Sequence, residues 1–286
     1  MDVVERFAPS PTGALHLGHA LSALTVSDAA RATGGTFLLR MDDLDTGRVR
    51  PRFAEMIMDD LRWLGLSWPE PVLFQSSRAA AHDAVLAELT ARGLVYPCFC
   101  TRAEIQAAAG APQEGAEEGP PYPGTCRGRH VDPSSPPHAL RLDMGRAIEA
   151  LGGAEAVRAL SFREIGSGPS GEQGEVRLDP ADLIGRVGDV VLKRKDGAVA
   201  YHLAVVVDDA WQGVTHVTRG QDLFSSTPLH RLLQALTGRP TPVYRHHRLI
   251  RDATGRRLAK RDGDRSLAAL REAGATAADI RGMVGL

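Results

Sequence analysis

Polar and apolar positions change their period several times along this chain, and each change marks an element. The apolar-rich run Val3 to Ala8 predicts a buried strand, and residues 9–15, with two prolines and a glycine, read as a loop. From Gly18 to Thr33 apolar residues recur at helical spacing until Gly34-Gly35 stops them, and Thr36 to Met41 is a second strand. A strand, loop, helix and strand within about 40 residues form the building block of a parallel, doubly wound α/β sheet. The alternation continues with a helix over 52–64, a strand over 72–75, and a helix over 78–92 closed by Gly93.

Past Tyr96 the pattern loses its regularity. A cysteine-rich turn, a short helix announced by the capping box Thr101-x-x-Glu104, and a Pro/Gly/Glu loop over 111–121 open the segment 97–188. This segment reads as an irregular, loop-rich insertion between two halves of the sheet. Alternation returns with strands over 190–194 and 199–207 about an Asp196-Gly197 turn, a strand over 215–218, and a helix over 226–237. The expected plan is 1–96 for the first half of the sheet, 97–188 for the insert, 189–238 for the second half, and 239–286 for a basic loop with two short helices.

Composition narrows the class without naming it. With 286 residues, 43% of them hydrophobic, the chain can bury a full core and has room for about two domains. A net charge of −1 supplies no global attraction to nucleic acid, so a polyanion must meet a local patch. Between Arg245 and Arg265 there is one, eight Lys or Arg against three acids. No stretch has the ~18 consecutive apolar residues of a membrane span and no basic-then-apolar signal opens the chain, so a cytoplasmic protein without membrane contact is expected. Three cysteines, Cys98, Cys100 and Cys126, cannot build a disulfide framework. Clustered in a reducing compartment they point to metal, and three thiolates suit tetrahedral Zn²⁺ with a fourth ligand from elsewhere. On chemistry alone His130 is the first choice for it, imidazole being a commoner ligand than phenolate.

The most chemically informative positions lie near the two ends, at His16-Leu17-Gly18-His19 and at Arg257-Leu258-Ala259-Lys260-Arg261. Prolines stiffen the loop before His16, the glycines allow close backbone approach, and a helix N-terminus offers N–H groups and positive potential to a phosphate. Each histidine can add a donor. Lysine is rare, three of 34 basic residues, so Lys260 among arginines suggests a compact point charge for a phosphate. Such a pair fits ATP gripped about its α-phosphate. Only 25 residues follow Arg261, fewer than the roughly 50 of a small domain.

The string Arg6 to His19 is followed in order by Arg40-Met41-Asp42-Asp43-Leu44-Asp45, Tyr201 to Asp209, Arg219-Gly220-Gln221-Asp222 and Arg257 to Arg261. Over nearly the whole chain this resembles the catalytic part of class I glutamyl-tRNA synthetases. Cys-x-Cys followed by Tyr-x-x-x-Cys, with so short a remainder, resembles the glutamyl-queuosine tRNA(Asp) synthetase family. The resemblance implies a class I Rossmann fold in which 97–188 is an acceptor-binding-like subdomain with structural zinc. It also implies a monomeric ligase that activates L-glutamate with ATP, taken as its Mg²⁺ complex, and transfers it to the queuosine base in the anticodon of tRNA(Asp). An enzyme whose catalytic domain acts on the anticodon loop needs no remote anticodon reader, which accounts for the short remainder.

Glutamate carries two carboxylates and an ammonium, so its pocket should hold arginines for the former and a carboxylate for the latter. By the resemblance, Arg6 and Arg219 face the carboxylates, Tyr201 the side chain, Ser10 (after Phe7, Ala8 and Pro9) the α-carbon, and Asp42 the α-amino group. His16, Gly18, His19, Gln221, Asp222 and Lys260 take ATP, with His16, His19 and Lys260 the catalytic set. Cys98, Cys100, Cys126 and, by analogy, Tyr122 hold zinc. Three positions depart from the family: Asp42 stands for its usual Glu, Arg257 for a Lys, and Ala259 for a Ser. Other readings are a Mg²⁺ site of Asp42, Asp43 and Asp45, ordinary 3′-end charging, a non-catalytic relative, and a His-x-Gly-His nucleotidylyltransferase. The last needs neither the arginine pair nor the cysteines.

Overall fold

A computed structural model of the chain describes residues 2–108, 121–132, 134–250 and 266–286. Strand β1 (Val4–Phe7) leads through α1 (Leu17–Ala32) to β2 (Thr36–Met41), which returns parallel to β1 with Leu38 opposite Arg6. Next come α2 (Pro51–Trp63), β3 (Leu73–Phe74) and α3 (Ala79–Ala91). Gly34, Gly65 and Gly93 take positive φ just past the three helices, a conformation that glycine adopts without a Cβ clash.

Among its described residues the segment 97–188 holds more regular structure than expected. It continues β4 (Val95–Cys98) into α4 (Arg102–Ala108), β5 (Ala139–Leu142), α5 (Met144–Ala150), α6 (Ala154–Arg158), β6 (Ser161–Glu164), β7 (Gly174–Arg177) and α7 (Pro180–Asp182). Elements this short hide their period from a sequence reading. With β8 (Val191–Lys193), β4 and β5 form a separate antiparallel sheet, while β6 and β7 join the large one.

A correction concerns 199–207, expected as a strand. Most of it is helical, the start of α8 (Tyr201–Trp211). Leu203 to Asp209 are all buried, so no exposed polar position reveals the helical period, and the valines imitate a strand. After β9 (His216–Gly220) and α9 (Thr227–Leu236), a strand that the sequence hid among basic residues follows, β10 (Val243–His247). The chain closes with α10 (Leu267–Glu272) and α11 (Ala277–Val284), the two short helices expected.

The large sheet has the order β3-β2-β1-β9-β10-β6-β7 and is parallel except for β7, which runs against β6. Along β2, Phe37 and Leu39 pack with Leu24, Ile57, Leu267 and Ile280, whereas Leu38 packs on the opposite side with Leu203, Val206, Leu229 and Leu232. A core on each face is the doubly wound arrangement. The chain steps outward from β1 to β2 and β3, then outward the other way from β9. The crevice at the carboxyl ends of β1 and β9 is therefore the topological switch point, where such sheets bind ligands. Among the described residues no helix is long and apolar enough to cross a membrane.

Candidate active site

Across that crevice the carboxyl ends of five neighbouring strands carry a row of buried polar side chains: Asp42 and Arg40 from β2, Arg6 from β1, Arg219 from β9, His246 from β10 and Glu164 from β6. Buried charge is expensive unless paired. On one side the pairing is direct. Asp209 of α8 takes Arg6 Nε at 3.0 Å and Arg40 Nη1 at 2.6 Å, and Arg40 Nε donates to Asp42 Oδ1 at 2.8 Å. Burial acts to raise the Asp209 carboxyl, but the two guanidiniums outweigh it and hold it below the usual range. At Asp42 burial wins over Arg40, and its carboxyl is raised.

Arg219 is held differently. It is 5% exposed, and its guanidinium donates to His246 Nε2 at 3.1 Å, His230 Nδ1 at 3.2 Å, Thr227 Oγ1 at 2.8 Å and Tyr201 Oη at 3.4 Å. Among the described residues no carboxylate touches it. The imidazoles stay neutral: burial, then the Arg219 charge, push His230 well down and bring His202, 3.1 Å from His230, to about 4. Arg6 uses only Nε in its pair with Asp209, and its Nη atoms have no hydrogen-bond partner among the described residues. Arg6 and Arg219 thus keep N–H donors that the described residues do not use, and Asp42 Oδ2 likewise makes no hydrogen bond among these residues. Such a set suits a small molecule carrying both carboxylates and an ammonium.

The loop after β1 frames this pocket. Phe7 and Pro9 are buried, Ala8 is half-buried and Ser10 is exposed, and Pro9 O accepts the Asp42 N–H at 3.0 Å, fastening the loop to the end of β2. Beyond it His16 and His19 cap α1 reciprocally. His16 Nδ1 accepts the Gly18 N–H at 3.1 Å, and His19 Nδ1 accepts the His16 N–H at 3.2 Å. Because both Nδ1 atoms accept, each neutral ring carries its proton on Nε2. Gly18 permits this, since a Cβ there would stand 2.9 Å from His16 Cε1. Gln221 donates from Nε2 to the carbonyls of Ser167 at 3.0 Å and Gly168 at 3.3 Å, so it clasps that loop, with Asp222 beside it at the start of the turn after β9. Lys260, with Arg257 and Ala259, lies outside the described residues.

The cysteines converge. Sγ of Cys98, Cys100 and Cys126 lie within 4.8 Å of one another, the only such group of metal-ligating side chains among the described residues. Cys100 Sγ is 3.5 Å from Cys126 Sγ and 3.3 Å from Tyr122 Oη. A tetrahedron with Zn–S bonds of about 2.3 Å has edges of about 3.8 Å, so these donors fit zinc with small adjustment. His130 is exposed and stands outside the group. The acidic trio does not converge: Asp42 pairs with Arg40, Asp43 with Ser76 and Asp45 with Arg48. Buried Asp189 ties the cysteine loop down, taking Arg127 Nε at 2.7 Å, Arg127 Nη2 at 2.8 Å and the Met144 N–H at 2.9 Å.

Sequence reasoning missed Arg40, Asp209, Glu164, His202, His230 and His246. Arg40, His202 and Asp209 stood inside strings already singled out, while Glu164, His230 and His246 carried no motif.

Comparison with known proteins fits this geometry. The family model described as tRNA synthetases class I (E and Q), catalytic domain, matches residues 2–145 and 167–283. A glutamyl-Q tRNA(Asp) synthetase of Rhodobacter capsulatus is 50% identical over 99% of this chain and 100% of its own length, and one of Symbiobacterium thermophilum is 43% identical over 97% and 84%. Among solved structures, a glutamate tRNA ligase of Elizabethkingia meningosepticum in complex with its amino acid superposes with a TM-score of 0.69 at 29% identity, over 92% of this chain. The chain spans about half of that ligase, 53% of its length. A methionyl-tRNA synthetase of Mycobacterium tuberculosis shares the fold, with a TM-score of 0.58 at 11% identity. The chain therefore belongs to the class I tRNA synthetases of the E and Q type, among the glutamyl-Q tRNA(Asp) synthetases, and is a ligase.

Proposed function

We propose that this chain activates L-glutamate with MgATP and transfers the glutamyl group to queuosine in the anticodon of tRNA(Asp). The observation that carries the first half is the Arg219 guanidinium, buried and touched by no carboxylate among the described residues. A glutamate carboxylate supplies the missing counter-charge, Arg6 takes the other, and Asp42 takes the ammonium. Tyr201, which already shares Arg219 Nη1, adds a hydroxyl to the same carboxylate.

In activation an α-carboxylate oxygen attacks the α-phosphorus of ATP in line, and the bond to pyrophosphate breaks. No proton has to move, so the site chiefly positions and neutralises charge. Nε2–H of His16 and of His19 are donors suited to the phosphate oxygens, with Lys260 as the point charge opposite. In transfer a hydroxyl of the cyclopentene-diol of queuosine attacks the anhydride carbonyl, the carbonyl–phosphate bond breaks, and AMP leaves with its phosphate taking up the hydroxyl proton. Support for that acceptor is the name borne by the R. capsulatus and S. thermophilum relatives. Cys98, Cys100, Cys126 and Tyr122 hold Zn²⁺ in a structural role.

The test offers labelled glutamate and ATP to tRNA with and without queuosine. Label should appear only on queuosine-containing tRNA(Asp), and equal labelling of queuosine-free tRNA removes the acceptor assignment. In parallel, glutamate should drive pyrophosphate exchange into ATP, and Lys260→Ala should depress that exchange far more than it changes folding.

A further inference from the structure

Arg219 has to hold its position before any ligand arrives, and its partners show how. On β10, His246 stands in register with Arg219 of β9, and Glu164 of β6 flanks the same strand from the far side. Arg219 Nε can only donate, so His246 Nε2 must accept. The proton of the ring is then on Nδ1, which meets Glu164 Oε2 at 2.6 Å. Glu164 is itself immobilised: Oε1 accepts the His246 N–H at 2.9 Å and the Gly166 N–H at 2.7 Å. Burial acts to raise the Glu164 carboxyl, and its hydrogen bonds with His246 and Gly166 outweigh it, keeping it ionised. The close approach depends on Gly166, where a Cβ would fall 2.4 Å from the His246 carbonyl oxygen.

We infer that Glu164 is a positioning residue for glutamate recognition, fixing the tautomer of His246 so that its Nε2 accepts from Arg219 and aims that guanidinium at the substrate carboxylate. The inference rests on the proposed role of Arg219. Placing an imidazole between the two charges explains an arrangement that a direct pair would not. A carboxylate in contact with Arg219 would compete with the substrate for its donors, whereas a neutral ring leaves the guanidinium held but not neutralised. The second branch works alike: Arg219 donates to His230 Nδ1, so His230 carries its proton on Nε2 and gives it to His202 Nδ1.

Glu164→Gln tests this. The amide oxygen can keep the two backbone N–H bonds, but the amide N–H₂ then faces His246 Nδ1 and moves the ring proton to Nε2, against Arg219 Nε–H. In pyrophosphate exchange with the full-length protein, KM for glutamate should rise tenfold or more while KM for ATP stays within twofold. The ¹⁵N spectrum of His246 should change from the Nδ1–H to the Nε2–H pattern. An unchanged KM for glutamate, or an equal rise in both constants, overturns the inference. If the variant folds poorly, the wild-type spectrum decides alone, and an Nε2–H pattern there overturns it. Arg219→Gln separates the layers: if it leaves KM for glutamate unchanged, the carboxylate role of Arg219 fails, whereas a large rise with Glu164→Gln silent removes only Glu164.

Discussion

Replacing Asp209 by asparagine should cost this protein more stability than its single carboxylate suggests. Asp209 is the shared counter-charge of Arg6 and Arg40, whose side chains are 5% and 0% exposed. Asparagine keeps the shape and removes the charge, leaving the two guanidiniums with only Asp42 between them. Removing one partner from a buried ion pair costs about 3–5 kcal/mol. An unfolding entropy of about 2.1 cal/mol/K per residue gives about 0.6 kcal/mol/K for 286 residues, so Tm should fall by about 5–8 °C at pH 7. Adding Arg40→Met should restore part of it, with a coupling of about 1–3 kcal/mol between the two sites. The pH dependence has a definite sign. Because the folded carboxyl is held below its unfolded value of about 3.9, the stabilisation is complete above that pH and fades as pH falls through the lower folded value. Wild type and variant should therefore converge in acid. Melting curves across pH, read by calorimetry, measure all three effects, and a drop under about 2 °C at pH 7 with no coupling to Arg40 would refute the reasoning.

Three further outcomes follow from single contacts. Gly18→Ala places a methyl group 2.9 Å from His16 Cε1 and displaces the ring from its cap. Stability should fall by about 1 kcal/mol, the usual worth of an N-cap, while glutamate-driven exchange falls at least tenfold; an unchanged exchange rate would separate the cap from catalysis. The purified protein should carry about one equivalent of zinc by elemental analysis and Cys126→Ser less than half as much, and a wild-type protein free of zinc would remove the metal site. Asp60 on α2 is 4% exposed, its Oδ2 has no hydrogen-bond partner among the described residues, and burial pushes its carboxyl up to about 6. A raised folded value means the penalty for its charge is complete above pH 6 and gone below about 3.9. Asp60→Asn should accordingly raise Tm by about 5 °C at pH 8, from about 3 kcal/mol, and by little at pH 4.

The parts of this fold that could be read from sequence are those whose order is local. The β1-α1-β2 unit declares itself because sixteen residues of helical period in α1 end at a glycine with positive φ, and β2 follows at once. The His-x-Gly-His turn is legible for the same reason, since capping acts between residues two and three apart. α8 was lost because it is buried on every side over Leu203 to Asp209, and an element that meets no water shows no period. β10 was lost because its charged residues resemble a surface loop, whereas in the sheet His246 turns inward to Arg219 and Glu164.

That last strand shows what sequence pattern leaves out of a site such as this. Arg219 was legible as a candidate only through the string around it, and nothing near it in sequence says what holds it. His246 lies 27 residues after it, and Glu164 lies 82 residues before His246. Parallel strands bring such residues together because their carboxyl ends all meet at one edge of the sheet, whatever chain runs between them. The motifs therefore mark where ligand contacts begin, on the loops leaving β1, β2 and β9. The groups that set the charge and direction of those contacts come from neighbouring strands and from the buried faces of α8 and α9, and there they read as core. Arg219 joins the two sets: one Nη2–H is unused among the described residues, and its fixed acceptors are a threonine on α9, the Tyr201 hydroxyl, and imidazoles on α9 and β10. A site built this way keeps its positive charge available, because among the described residues no carboxylate touches Arg219, and Glu164 stands one ring behind it, against His246.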